Sequence, residues 1–409
     1  MRRLNATMVK IMALLLSILG VLLFVGLILV HEYGHYKVAI RNGVKVEEFG
    51  LGLPPRAWGK KLKSGMLLSL NWLPLGGFVR LKGETDSDTR KGSFGAASMW
   101  VKTKIMLAGV AMNLITALVL FTLLALIGLP TIFNKQTLGQ DQFTVASDER
   151  IARQELKVGY VEPDSPADRA GLASLDTLIA YGDSPCKTGG CTPFTSADAL
   201  LATTKSFAGQ QLHVQYERDG QTYFSNAMLR TEAEVAASLS TDNPKGYLGL
   251  APTEFVVKRY TWSAPVVAAG LTAQLTQLTF QGIGKAFAGV GSALAGLVTS
   301  NQEARVNGQT QASEQVGGPV AIFKILFDSG SLGINFILLL IALLSLTLAI
   351  MNVLPIPALD GGRLFVTWLF RLIKKPLTKP LEERIHGTGM AVLLSLFVLI
   401  TYLDIKRFF

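Results

Sequence analysis

Four apolar runs without a charged residue divide this chain of 409 residues. They cover residues 11–30, 105–129, 334–353 and, in a shorter form, 390–403. About twenty apolar residues suffice for a helix to cross the hydrocarbon core of a bilayer, where the backbone must satisfy its own hydrogen bonds. The sequence therefore predicts a polytopic α-helical membrane protein with four transmembrane helices and both termini on one side. Cleavage of the first run as a signal peptide is the alternative, but the run is long for that role and lacks a small-residue cleavage site.

Basic residues are concentrated in two of the connections. Residues 36–104 hold thirteen Lys and Arg against five acidic residues, residues 363–384 hold six against two, and the central stretch 135–328 holds fifteen against nineteen. The positive-inside rule then predicts that the two basic connections are cytoplasmic and that the termini and the central stretch lie outside. The net charge of +10 is thus a topology signal and an attraction to the lipid bilayer, and no nucleic-acid partner is predicted.

A metal-binding pattern, His31-Glu32-Tyr33-Gly34-His35, follows the first run directly. On a helix the two imidazoles lie one turn apart on one face and can share a metal ion. Zinc lowers the pKa of a bound water to about 7, and a neighbouring carboxylate can take its proton. The pattern therefore predicts one Zn²⁺ ion held by His31 and His35, with Glu32 as the catalytic base. A structural His pair is the alternative, although ionisable residues bordering a membrane span usually have a functional partner.

Asp360 is the predicted third metal ligand, since catalytic zinc usually takes three protein ligands. It follows the third run in a segment with two prolines and a glycine pair, which can end the helix and present a carboxylate. An ordinary interfacial Asp is the alternative. Asp360 lies at the same depth in the membrane as His31 only if no helix crosses the membrane between the second and third apolar runs. The apolar stretch 262–300 contains three Gln and Lys285, and it is therefore interpreted as an amphipathic helix.

These motifs together resemble the site-2 protease family of intramembrane zinc metalloproteases, in particular its RseP-like branch. The resemblance covers most of the chain and rests on the segments 31–35, 49–52, 74–80, 317–320 and 352–361. It implies that His31, His35 and Asp360 bind zinc and that Glu32 is the base. It also implies that Asn352 holds the substrate backbone or stabilises charge on the attacked carbonyl, with capping of the broken helix as the alternative. One departure is Val110, where the family usually has Pro; for the nearby Asn113 an interhelical hydrogen bond is the favoured role.

A β-hairpin is predicted in the first basic connection. Residues 66–72 and 78–81 read as two strands joined by a turn at 74–77. In the family this hairpin dips toward the active site, where an exposed strand edge can extend a helical substrate by β-addition. The predicted substrate-binding residues are Trp72, Gly76, Gly77 and Phe78, together with Asn352. A hairpin on the cytoplasmic surface is the alternative.

An inserted extracytoplasmic α+β domain is predicted for residues 144–254. The segment 159–172 resembles the PDZ signature of bacterial envelope proteases, and an Asp-Gly turn within 214–222 predicts a hairpin. Such a PDZ domain binds a peptide or chain terminus, or acts as a size filter; a single signature is present where many RseP-like members have two. Cys186 and Cys191 are a disulfide candidate in an oxidising compartment, with free thiols as the alternative.

The chain is predicted to consist of four parts. Residues 1–134 carry the first two spans and the hairpin, 144–254 the PDZ domain, 255–332 an amphipathic helical linker and 333–409 the last two spans. The resemblance implies a protease of the bacterial inner membrane, with its active site toward the cytoplasm. Its implied substrates are transmembrane segments of single-span proteins, anti-sigma factors or remnant signal peptides, cut after a first extracytoplasmic cleavage. A non-catalytic PDZ-bearing adaptor is the alternative, and it would need none of the zinc-site residues.

Overall fold

The computed structural model describes residues 2–133, 138–186, 190–218, 220–241, 243–298, 319–328 and 333–408. Gly317 and Gly318 of the predicted motif, and the last two residues of the stretch 262–300, lie outside the described residues. Two compact units are distinguished. The membrane unit consists mainly of Leu14–Ala125 and Trp262–Phe409, and the sheet unit mainly of Leu126–Gln142 and Ala146–Thr261.

Helices and strands are numbered along the chain. The helices are α1 (Arg2–Arg41), α2 (Met99–Ile127), α3 (Pro166–Arg169), α4 (Ala197–Ser206), α5 (Glu232–Ser238), α6 (Ala264–Val298), α7 (Pro319–Asp328), α8 (Ile334–Val353), α9 (Asp360–Leu372) and α10 (Lys379–Phe408). The strands are β1 (Val46–Lys61), β2 (Leu67–Leu81), β3 (Leu129–Pro130), β4 (Arg150–Val161), β5 (Thr177–Gly182), β6 (Thr192–Pro193), β7 (Gln211–Arg218), β8 (Gln221–Met228) and β9 (Leu250–Arg259).

Four helices of the described chain are long and apolar enough to cross a membrane, as the sequence predicts. They comprise Leu14–Arg41 of α1, all of α2 and α8, and Lys379–Lys406 of α10. The long helix α6 is not one of them. Helix α10 begins eleven residues before the predicted fourth span, because proline is tolerated in the first turn of a helix and an acidic first turn favours the helix N-terminus.

The core of the membrane unit lies where α1 meets its neighbours. Leu27 of α1 is buried with residues of α7 and α8, namely Leu326, Ile337 and Ile341. A second cluster joins the end of α1 to the start of α2 and the end of β2. Gly34 allows helix α1 to approach the backbone of α2 closely, since a Cβ at this position would lie 2.6 Å from the carbonyl oxygen of Ala108. The metal-binding pattern therefore lies on a helix that is in backbone contact with α2.

Strands β1 and β2 form a small sheet in which part of each strand is paired on both sides. Residues 46–51 of β1 pair with 77–81 of β2 on one side and with 67–70 on the other, and residues 58–61 also pair with 67–70. The predicted pairing of the two segments of residues 66–81 with each other is therefore wrong. Both segments are extended, but each pairs with β1, because strand pairing depends on the packing of neighbours distant in sequence.

The sheet unit contains an antiparallel sheet in the order β3-β9-β4-β5-β7-β8, with β6 paired to β5. The predicted strand, turn and short helix at 159–172 are confirmed as β4 and α3, and Ser165 caps α3 by accepting a hydrogen bond from the Asp168 N–H. The predicted hairpin is confirmed as β7 and β8. Strand β9 continues to Arg259, beyond the predicted domain end at residue 254.

Candidate metal centre and active site

Three side chains meet at the end of α1 and the start of α9. Nε2 of His31 and Nε2 of His35 each lie 3.1 Å from Oδ2 of Asp360, and the two Nε2 atoms are 3.1 Å apart. Ligands on a tetrahedral zinc ion with bonds of about 2.0–2.1 Å are separated by about 3.3 Å. The two nitrogens and one oxygen therefore fit zinc in number, chemistry and spacing.

Helix α2 orients both imidazoles. Nδ1 of His35 lies 2.7 Å from the carbonyl oxygen of Ile105, so this nitrogen donates its proton and Nε2 is left for a metal. Nδ1 of His31 lies 3.2 Å from the side-chain nitrogen of Asn113, whose oxygen is buried without a partner in the described structure. Rotating this amide by 180° places its oxygen where it can accept the ring proton of His31, which leaves Nε2 of His31 for a metal.

Gly109 lies between these two contacts on the same face of α2, four residues from Ile105 and four from Asn113. A Cβ at this position would lie 2.6 Å from Cε1 and 2.7 Å from Nε2 of His31, and closer still to Nε2 of His35. Only a glycine therefore lets α2 approach both imidazoles. Sequence reasoning missed this requirement for glycine, although the spacing 105, 109 and 113 was a readable signal. The predicted interhelical hydrogen bond of Asn113 is confirmed, and its partner is His31.

Asp360 is presented by the turn between α8 and α9. It is the first residue of α9, and a Cβ at Gly361 or Gly362 would overlap the backbone of residues 353–357, so the glycine pair makes this tight turn possible. Burial would raise the pKa of Asp360, but its contacts with the two imidazoles lower that pKa well below the usual range. The carboxylate is therefore charged, as a metal ligand must be.

Glu32 shares a cavity of about 620 Å³ with these three side chains. Gly77 of β2 approaches it closely, since a Cβ there would lie 3.0 Å from Cγ of Glu32. Among the other predicted site residues, Gly76, Gly77, Phe78 and Asn352 line the cavity. Trp72 is not one of the lining residues and is 70% exposed. It follows the first half of β2, which pairs with the side of β1 opposite to the cavity-lining residues 77–81.

The other candidate residues of the described chain are not part of this cluster. Cys186 and Cys191 are joined by a disulfide bond in the sheet unit, and His213 of the same unit lies 2.6 Å from Oδ1 of Asn226. His386 accepts a hydrogen bond from the Ala358 N–H at 3.4 Å, beside the turn that carries Asp360. Neither histidine belongs to the cluster of possible metal ligands in the described residues.

Arg363 is a cavity residue that sequence reasoning missed. It lies one helical turn after Asp360, and its Nη2 donates to the carbonyl oxygen of Glu84 at 2.5 Å. Its Nε is buried without a hydrogen-bond partner within the described part of the chain. The spacing of three residues after a metal ligand on a helix could have indicated this residue.

The possible metal ligands belong to a helix long and apolar enough to cross a membrane and to the first residue of α9. This arrangement fits a membrane metalloprotease, and comparison with known proteins agrees. The family model for peptidase family M50 matches residues 19–396. A candidate zinc metalloprotease of Clostridium perfringens is 30% identical over 95% of this chain and 98% of its own. One of Campylobacter jejuni is 27% identical over 95% and 92%, and the zinc metalloprotease RasP of Oceanobacillus iheyensis is 24% identical over 95% and 98%.

The chain belongs to peptidase family M50, the site-2 protease family, because the family model covers nearly its whole length. The resemblance predicted from the motifs is therefore confirmed. The protein is a zinc metalloendopeptidase with membrane-spanning helices, as the sequence predicts.

Proposed function

We propose that the protein cleaves transmembrane segments of single-span membrane proteins, with His31, His35 and Asp360 as the zinc ligands. One observation carries this proposal: the cluster joins α1, a helix able to cross the membrane, to the turn that follows α8, a second such helix. A peptide bond must therefore enter the membrane unit to reach the cluster. Anti-sigma factors and remnant signal peptides are the proposed substrates, each trimmed first outside the cytoplasm.

Glu32 is the proposed general base and acid. Zinc, when bound, supplies a Lewis acid that polarises the scissile carbonyl and acidifies a water molecule. The Glu32 carboxylate shares the cavity with all three ligands, so it can accept the proton of the attacking water and pass it to the leaving amine. Asn352 lines the same cavity, and its amide can hold the substrate backbone or donate to the carbonyl oxygen.

The edge of the small sheet is the proposed substrate track. Residues 77–81 pair with β1 on one side only among the described strands, and Gly76 to Leu81 line the cavity. A substrate strand added to this edge has its peptide bonds extended, as hydrolysis requires. The approach of Gly77 to Glu32 brings such a strand to the base. The sheet is proposed to be re-entrant, because non-helical backbone at membrane depth is tolerated where it lines a wet cavity.

The sheet unit is the proposed PDZ domain, outside the cytoplasm together with both termini. Its antiparallel sheet and capped helix α3 support that assignment. The connection 36–104 is proposed to be cytoplasmic, and its thirteen basic residues support this position. The domain binds a peptide or chain terminus, or admits only substrates whose outer part has been removed. The membrane is proposed to be the bacterial inner membrane.

Cleavage by purified protein tests the mechanism. Full-length protein is incubated with tagged single-span substrates, and wild type is compared with Glu32→Gln and with Glu47→Gln, an exposed carboxylate of β1 as the matched control. We expect Glu32→Gln to lose cleavage and keep its zinc, because Glu32 is not a ligand, and Glu47→Gln to keep both. Equal cleavage by Glu32→Gln and wild type would refute the role of the base.

Thiol labelling in intact cells tests the topology. Ser240 of the sheet unit and Ser64 between β1 and β2 are both exposed. With Cys186 and Cys191 replaced by Ser, an impermeant reagent should label Ser240→Cys from outside and label Ser64→Cys only after lysis. The opposite pattern would reverse the proposed orientation.

A further inference from the structure

Helix α9 carries an apolar stripe that the described part of the chain leaves exposed. The stripe consists of Phe365, Trp368, Leu369, Leu372 and Ile373, all exposed, with Leu372 at 79%. Their spacings of three, four, seven and eight residues place them on one face of a helix. Thr367 on the opposite face and Val366 beside it are buried. Scattered exposed apolar residues are ordinary, but a contiguous stripe of five indicates a binding surface.

The helix is too short to cross a bilayer. Its thirteen residues span about 20 Å at 1.5 Å per residue, less than the roughly 30 Å hydrocarbon core. It begins seven residues after α8, whose twenty residues suffice for that core. The indole nitrogen of Trp368 donates to Oγ1 of Thr103 at 3.1 Å, near the start of α2. Helix α9 therefore lies beside the ends of two membrane-spanning helices, where a membrane boundary is expected.

Basic residues follow the stripe. Arg371, Lys374 and Lys375 are exposed at the end of α9, and the segment 361–381 contains no acidic residue. An apolar stripe with cations at its end complements the acyl chains and phosphate groups of an anionic bilayer. A protein partner would not need this one-sided charge.

We propose that α9 is an interfacial helix whose stripe lies among the headgroups and upper acyl chains of an anionic lipid leaflet. Because Asp360 is the first residue of α9, the lipid contact also sets the position of that carboxylate against His31 and His35. This second part rests on the proposed role of Asp360 as a metal ligand. The lipid surface thus acts as a positioning partner of the metal centre.

Spin labelling tests the lipid contact. The full chain with Leu372→Cys is labelled and reconstituted into vesicles of phosphatidylcholine with phosphatidylglycerol, and its collisions with oxygen and with a water-soluble nickel chelate are compared. Thr89→Cys, in an exposed position of the first basic connection, is the control. We expect oxygen to dominate at residue 372 and nickel at residue 89. Dominance of nickel at 372, or protection from both reagents by a protein partner or a second copy, would overturn the proposal.

Zinc binding tests the coupling to Asp360. Leu372→Glu places a charge in the stripe, and a chelator competition in the same vesicles should show weaker zinc binding than wild type. Wild type should also bind zinc less tightly in phosphatidylcholine alone. Unchanged zinc binding in both comparisons would overturn the coupling while the labelling result stands. If instead Asp360→Ala keeps full zinc binding, the ligand assignment fails, and the collision ratio at residue 372 still decides the lipid contact.

Discussion

Replacement of Gly109 by Ala is the most direct test of how α2 shapes the metal centre. The added methyl would lie 2.6–2.7 Å from two atoms of the His31 ring, whereas carbon atoms in contact settle at about 3.5–4.0 Å. One partner must therefore move by about 1 Å. Metal sites tolerate distance errors of about 0.2 Å, so this movement takes the proposed ligands out of the spacing that fits a zinc ion. We expect zinc affinity to fall by about 10–100-fold and cleavage by about 100-fold.

A chelator competition titration measures the zinc affinity, and cleavage of a tagged single-span substrate measures activity. Gly26→Ala is the matched control, because it makes the same change within helix α1 and its Cβ would meet nothing within 4 Å. Zinc affinity of Gly109→Ala equal to that of wild type and Gly26→Ala would refute the argument that close approach of α2 organises the ligands.

Three further outcomes are expected. Asn113→Leu should bind zinc about 10–100-fold less tightly, since His31 loses its acceptor; unchanged affinity in a chelator titration would contradict this. Asp360→Ala should lower the zinc-to-protein ratio measured by atomic absorption, and an undiminished ratio would remove Asp360 from the ligand set. In the sheet unit, hydrogen bonds from Thr231 lower the pKa of Glu234 from its usual value of 4.5. The charged Glu234 carboxylate therefore stabilises the fold above pH 4.5. This stabilisation is lost as the pH falls through the lowered pKa. Glu234→Gln should therefore show a smaller acid-induced drop in melting temperature. An identical drop would argue against a stabilising role for the hydrogen bonds between Thr231 and Glu234 at the start of α5.

Much of the membrane unit could be predicted because its signals are local. An uncharged run of twenty residues specifies a spanning helix by length alone. Two histidines four residues apart share a helix face whatever the rest of the fold does. Asp360 could be joined to them by a topological argument, since α1 and α8 must run in the same direction for their ends to meet.

The features that could not be predicted depend on contacts between distant segments. The pairing of residues 77–81 with 46–51 is one, because both segments are compatible with several partners. The requirement for glycine at 109 is another, since it follows from the distance between two helix axes. The start of α10 was missed for a different reason: its first turns are charged, and hydropathy detects only the apolar part of a helix.

The separation of the proposed metal ligands along the chain has a consequence for biogenesis. His35 and Asp360 are in contact although they are 325 positions apart in the sequence, and most of the sheet unit is encoded in that interval. During synthesis the first two ligands therefore enter the membrane long before the third exists. Because a two-histidine site lacks the carboxylate, the nascent protein cannot hold a complete metal centre until its third span is inserted. The order of the ligands in the chain thus delays proteolytic competence until nearly the entire protein has been made.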